Sequence, residues 1–259
     1  MGNLRGVLRA YGEGDIFGEA YGEGPVRVLW LHGWARTGAD FATSAAQLAR
    51  EGIASVALDL PGFGASPLPP MGGGGAMYAR LLEPALGELA TGPLVLVGHS
   101  NGARAATVLA ATQHELVAGL VLCGAPLVRV SPARRAPRAY RVVRAMHRRG
   151  MISDARMEDA RQKYGSRDYR NATGLLREIL VASVNESFEA ELARIEVPVA
   201  LVWGENDHDV PVEVARRIQE LLVLSPEVRL DVLADTGHLV PIERPAALSD
   251  HVRRLVGAA

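Results

Sequence analysis

Leu94-Val95-Leu96-Val97-Gly98-His99-Ser100-Asn101-Gly102 runs directly into an alanine-rich helical pattern, Ala103 to Ala111. The apolar run, the glycine-flanked serine and the helical repeat predict strand, tight turn and helix, with Ser100 at the apex. A serine placed there must adopt a strained backbone conformation, so that its hydroxyl stands clear of the sheet. Gly98 and Gly102 relieve the crowding that side chains would cause at those positions. Taken alone, the pentapeptide also fits a plain turn whose serine caps the helix. The rest of the chain decides between the two.

Apolar runs and helical patterns alternate on both sides of this stretch. Val26 to Leu31, Ile53 to Leu58, Leu120 to Cys123, Val199 to Trp203 and Val228 to Leu233 read as strands. Asp40 to Arg50, Ala76 to Ala90, Val212 to Leu222 and Pro245 to Leu255 read as helices. Short, continuously apolar strands separated by helices imply a mostly parallel sheet covered on both faces. Asp15 to Tyr21 reads as an antiparallel strand at the N-terminal edge. From Pro126 to about Glu196 the alternation stops, leaving helical periodicity, many charges and no strand pattern. The expected organisation is an α/β core of residues 1–126 and 197–259, with a helical cap, 127–196, inserted over the sheet. Gly72 to Gly75 reads as a flexible surface connection.

The bulk properties narrow the function classes. The 259 residues are 48% hydrophobic and carry a formal net charge of −1. That balance excludes a globally basic nucleic-acid binder. A lone cysteine, Cys123, allows no internal disulfide and no cysteine metal cluster. Met1 to Asp15 has no long apolar run of the signal-peptide type. No uninterrupted apolar stretch is long enough to span a membrane. The expectations are therefore a cytoplasmic protein with no nucleic-acid partner, no membrane association, no metal and no cofactor.

Acyl transfer by a serine needs a base to take its proton and a group to orient that base. His238, in Ala234-Asp235-Thr236-Gly237-His238, follows the last strand, and loops beyond the carboxyl ends of parallel strands carry reactive groups. The other histidines fit less well. His99 should point away from the serine's approach, and His32 should pack in its loop. His114, His147 and His251 fall on helical surfaces, and His208 sits beside the expected acid. The orienting carboxylate lies in Gly204-Glu205-Asn206-Asp207-His208-Asp209-Val210-Pro211, where Asp207 is preferred to Asp209 and Glu205. Two backbone donors are needed for the oxyanion. The N–H of Asn101 follows the serine directly, and the N–H of Trp34 stands in the loop after the Val26 strand.

Five segments, in this order along nearly the whole chain, resemble the α/β-hydrolase superfamily: His32-Gly33-Trp34, Asp59-Leu60-Pro61-Gly62-Phe63-Gly64-Ala65-Ser66, Gly98 to Gly102, Gly204 to Pro211, and Gly237-His238. The resemblance implies the α/β-hydrolase fold, a Ser100–Asp207–His238 triad, and Trp34 and Asn101 as oxyanion donors. It implies a cap that shapes the pocket for a small-molecule acyl ester. Ser100 argues against the aspartate-nucleophile dehalogenases and epoxide hydrolases of similar fold. Asn101 stands where such enzymes often carry Met, Gln, Leu or Phe. A carbon–carbon bond hydrolase or a ligand receptor with a silent triad could keep the same residues.

Arg129 to Arg149 is rich in arginine and has no acid. Arg138, Arg141 and Arg148 recur at helical spacing and form one stripe. One reading is a solvated helix paired with Asp154, Glu158 and Asp159. The other is a rim that binds an anionic substrate or an acidic carrier protein. The His-Gly-Trp and Asp-Leu-Pro-Gly-Phe-Gly segments look similar to those of pimeloyl-carrier-protein methyl esterases, which hold a carrier protein with cap arginines.

Overall fold

The computed structural model describes residues 6–130 and 137–258. The strands are β1 (Val7–Tyr11), β2 (Ile16–Tyr21), β3 (Val26–Leu31), β4 (Ala54–Asp59), β5 (Leu94–His99), β6 (Val117–Cys123), β7 (Val199–Gly204) and β8 (Val228–Leu233). They form one sheet in the order β1-β2-β4-β3-β5-β6-β7-β8. β2 is antiparallel to β1 and β4, and every pairing from β4 to β8 is parallel. All residues of β4, β5 and β7 are buried. This is why those segments read as unbroken apolar runs rather than alternating ones. The N-terminal edge differs from the expectation: β1, not β2, is the outermost strand. Four of its five residues are exposed, so no apolar pattern marks it.

In the core, the helices are α1 (Ala42–Arg50), α2 (Gly75–Leu89), α3 (Asn101–Thr112), α9 (Val212–Leu221), α10 (Val240–Glu243) and α11 (Pro245–Ala258). Between β6 and β7 come α4 (Arg138–Arg148), α5 (Asp154–Tyr164), α6 (Arg167–Asn171), α7 (Gly174–Ser183) and α8 (Glu189–Leu192). Two buried apolar clusters, one on each face of the sheet, hold the layers together. One includes Leu31, Leu58, Leu82, Leu96, Leu122 and Leu201; the other Val28, Trp30, Val97, Val121 and Val202. Successive residues of one strand fall in different clusters because side chains alternate across the pleat. The glycine run is no free connection at its end: Gly75 opens α2 and its N–H donates to Glu186 Oε2 at 2.8 Å. No described helix is long and apolar enough to cross a membrane.

Candidate active site

Ser100 stands between β5 and α3 with φ 49° and ψ −109°. Left-handed φ is costly for a residue with a β-carbon, and the surroundings must hold it there. One restraint is the Ser100 N–H, which donates to the Cys123 carbonyl at 2.9 Å. The flanking glycines are required by close approach. A β-carbon at Gly98 would lie 2.5 Å from Ala103 Cα, and one at Gly102 would lie 2.2 Å from the Leu31 oxygen. The turn is thus wedged under the end of β3.

Asp207 and His238 come from the loops after β7 and β8. Asp207 is 4% exposed. Its Oδ2 accepts from His238 Nδ1 at 2.8 Å, and its Oδ1 accepts the N–H groups of Val210 at 2.8 Å and Asp209 at 3.0 Å. These contacts single out Asp207; Asp209 and Glu205 are exposed loop residues. Burial pulls the His238 imidazole pKa down. The hydrogen bond and charge of Asp207, with the charges of Asp209 and Glu243, outweigh it, and the value lies above that of an ordinary histidine. Gly124, at φ +49°, lets the pair approach the end of β6; a β-carbon there would lie 2.9 Å from the His238 ring. Ligand atoms of Asp207, Asp209 and His238 fall within 4.8 Å of one another. Both oxygens of Asp207 are committed to N–H donors, so the cluster is explained as an acid–histidine couple.

The loop that carries Trp34 is pinned by the Asp59–Ser66 segment. His32, fully buried, accepts the Leu60 N–H at Nε2 (2.9 Å) and meets the Gly33 carbonyl at Nδ1 (2.7 Å), which assigns the proton to Nδ1. Asp59 accepts from the N–H groups of Gly38 and Ala65, each at 2.8 Å. A β-carbon at Gly33 would lie 3.3 Å from Ser100 Cβ, so the loop is brought directly beside the serine. Trp34 packs edge-on against Phe63, centroids 5.0 Å apart.

A cavity of about 520 Å³ brings Ser100, Asn101, Trp34 and His238 together. Arg104 of α3 borders it too, as do Leu180, Ser183 and Val184 at the end of α7, so residues from the segment between β6 and β7 line the same cavity as the serine. Arg138, Arg141 and Arg148 do not border it. They lie on the exposed face of α4, which buries no residue. The expected pairing of that stripe with Asp154, Glu158 and Asp159 also differs: Asp154 meets His147, and Glu158 meets Arg161 and Arg177. Arg134 and Arg135 lie outside the described residues.

Three histidines depart from expectation. His114 lies in the exposed turn after α3 and not on a helix. His251 is buried, with Nε2 2.9 Å from Asp231 Oδ2, rather than on a helical surface. His99 supports the loop that carries His238: its Nε2 donates to the His238 carbonyl at 2.9 Å, and the rings lie 4.9 Å apart. Burial, then the neighbouring His238, lowers the His99 pKa to about 4, which keeps it neutral. Glu243 holds the same loop from the other side, accepting the N–H groups of Gly237 at 2.7 Å and Leu239 at 3.0 Å. The sequence gives no sign of these supports beyond the acid five residues after His238.

The family model described as "Alpha/beta hydrolase family" matches residues 28–251, and the chain belongs to that family. It is 31% identical to "Lipase LipV" of Mycobacterium tuberculosis, over 94% of this chain and 98% of that one. It is 25% identical to a "2-hydroxy-6-oxononadienedioate/2-hydroxy-6-oxononatrienedioate hydrolase" of Klebsiella pneumoniae, over 92% and 89% of the two chains. Among solved structures, the esterase EaEST from Exiguobacterium antarcticum superposes with a TM-score of 0.71 at 22% identity, covering 98% of this chain and all of that one. The chain is a hydrolase of the α/β-hydrolase type.

Proposed function

We propose that this protein is a serine hydrolase that cleaves a carboxylic ester through an acyl-enzyme. The observation that carries this reading is Ser100, held at a strained left-handed turn in one cavity with a histidine already paired to a buried acid. Ser100 Oγ attacks the ester carbonyl while His238 Nε2 takes its proton. Asp207 holds His238 Nδ1–H, fixes the tautomer and stabilises the imidazolium. The N–H groups of Asn101 and Trp34 receive the developing oxyanion. His238 then protonates the departing alcohol, and water repeats the sequence on the acyl-enzyme. Residues 127–196 act as the cap that bounds the acyl site. Whole-length similarity to the lipase supports an ester substrate.

The test is active-site labelling with turnover. A fluorophosphonate should modify Ser100, para-nitrophenyl esters should be hydrolysed, and Ser100→Ala should lower kcat by about five to six orders of magnitude. Undiminished turnover by pure Ser100→Ala protein would refute the assignment. Whole-length similarity to the oxononadienedioate hydrolases favours a second reading, carbon–carbon bond hydrolysis of a dienedioate by the same residues. Rapid turnover of such a dienedioate with negligible esterase activity would select it.

A further inference from the structure

One helical turn beyond Ser100, α3 sends a second polar side chain to the cavity. Arg104 is 6% exposed, and one Nη donates to the Ser183 carbonyl at 2.5 Å. Its guanidinium lies 5.8 Å from the centre of the Phe188 ring. Among the described residues no carboxylate forms an ion pair with it. The acid that influences it most is Glu186, whose Oε2 already accepts the Gly75 N–H. Burial lowers the Arg104 pKa to about 10, so the group still carries its charge at neutral pH. A desolvated cation without an ion-pair partner is costly, and an anion bound beside it would offset that cost.

A second donor stands on the same helix face. Asn101, three residues earlier and 4% exposed, has an amide Nδ2 with no hydrogen-bond partner. Residues three apart on a helix are neighbours on its surface, and both border the cavity that contains Ser100. The other charges at this cavity are unlike Arg104. Arg36 is tied to Asp40, while Arg167, Asp168 and Asp209 are exposed and of both signs.

We infer that Arg104, with the Asn101 amide beside it, is an anion subsite, and that the ester substrate carries a carboxylate which Arg104 receives. This rests on the reading of Ser100 as an ester-cleaving nucleophile. A carboxylate suits the site better than a phosphate. One buried guanidinium neutralises one negative charge, and a dianion would leave the second uncompensated in a desolvated wall.

The experiment compares kcat/KM for para-nitrophenyl hexanoate and the mono-para-nitrophenyl ester of adipic acid, matched in chain length. The native protein should favour the adipate monoester by about tenfold or more. Arg104→Gln should collapse that ratio, and Arg104→Lys, which keeps the charge without the fork, should leave part of it. A native ratio near one overturns the inference. So does an Arg104→Gln protein in which both esters slow together at an unchanged ratio, the signature of a strut that only anchors α7. Calorimetry on Ser100→Ala protein with monomethyl and dimethyl adipate needs no turnover. Tighter binding of the monoester, lost on adding Arg104→Gln or weakened by Arg104→Lys, supports the subsite; equal binding overturns it. Failure of the hydrolase reading is seen separately, as absence of fluorophosphonate labelling and of turnover on both esters.

Discussion

Asp207 places three N–H donors on two oxygens, and that geometry fixes what each substitution should do. The backbone donors of Asp209 and Val210 hold Oδ1, so Oδ2 is presented to His238. Asp207→Asn would keep the loop contacts at one atom and turn an amide toward His238 Nδ1. The imidazole would take the wrong tautomer, and kcat should fall by about 10⁴. Asp209→Asn removes only an exposed charge and should cost less than about tenfold. Measuring kcat for both variants checks the ranking; the reverse order would move the acid to Asp209. The pH profile follows from the same contacts. His238 must be neutral to accept the serine proton, and its pKa is raised. Activity is therefore present above that pKa and lost as pH falls through it. The acid limb of kcat/KM should lie above the ordinary histidine value of about 6.5 and move down in Asp209→Asn. A limb at or below that value in the native protein would contradict the contacts.

At the scale of elements, the short helix α10 acts on the base without touching it. Glu243 accepts the N–H groups on both sides of His238, and His99 donates to the His238 carbonyl between them. The ring is aimed by its backbone from two directions. Glu243→Gln loses one of two acceptors and should lower kcat by about ten- to a hundredfold with KM little changed, since catalysis is sensitive to small misplacements. An equal rise in KM with unchanged kcat would place Glu243 in substrate binding instead. These elements also show what a sequence reveals. β3 to β7 and the turn at Ser100 were legible because a buried parallel strand is a largely apolar run and the turn demands glycine at fixed places, while the edge strand β8 declared itself by the alternation Val228-Arg229-Leu230-Asp231-Val232-Leu233. β1 was not, since an exposed edge strand such as Val7–Tyr11 has no apolar face to declare it. The proposed triad could be ranked from strand ends and from the resemblance to the family. The supports of His238 could not, because Glu243 and His99 act on backbone atoms, which no spacing displays. The arginine stripe of α4 was visible and the lone Arg104 was not. Charge repeats advertise a solvated face, whereas a single buried cation is defined by what surrounds it.

For the whole molecule, the neutral histidine packed behind the base makes stability depend on acid. His99 is 1% exposed, and its pKa falls from an ordinary 6.5 to about 4. Its folded pKa lies below its unfolded one, so its contribution is fully present above about pH 6.5 and shrinks as pH falls toward 4. In that window the unfolded chain takes up a proton that the folded chain refuses. The loss amounts to about 3 kcal/mol, complete once both forms are protonated. His32, lowered mainly by burial, acts in the same direction. Two further influences fall in other windows, His238 opposing this trend and Glu51 following it. His238 has a raised pKa, so its contribution is complete below the unfolded value and disappears only as pH rises through the folded one. Glu51, held low first by its hydrogen bond to Arg253, loses its contribution only below the ordinary carboxylate value of 4.5. Between pH 6.5 and 4.5 the slope therefore belongs mainly to the buried histidines. Urea unfolding in that range should give a midpoint that drops steeply for the native protein. His99→Gln should lower the midpoint at pH 7.5 and flatten its fall toward pH 4.5, because glutamine binds no proton in either state. Parallel curves for the two proteins would mean that His99 takes up its proton alike in the folded and unfolded chains, so that its burial does not depress its pKa.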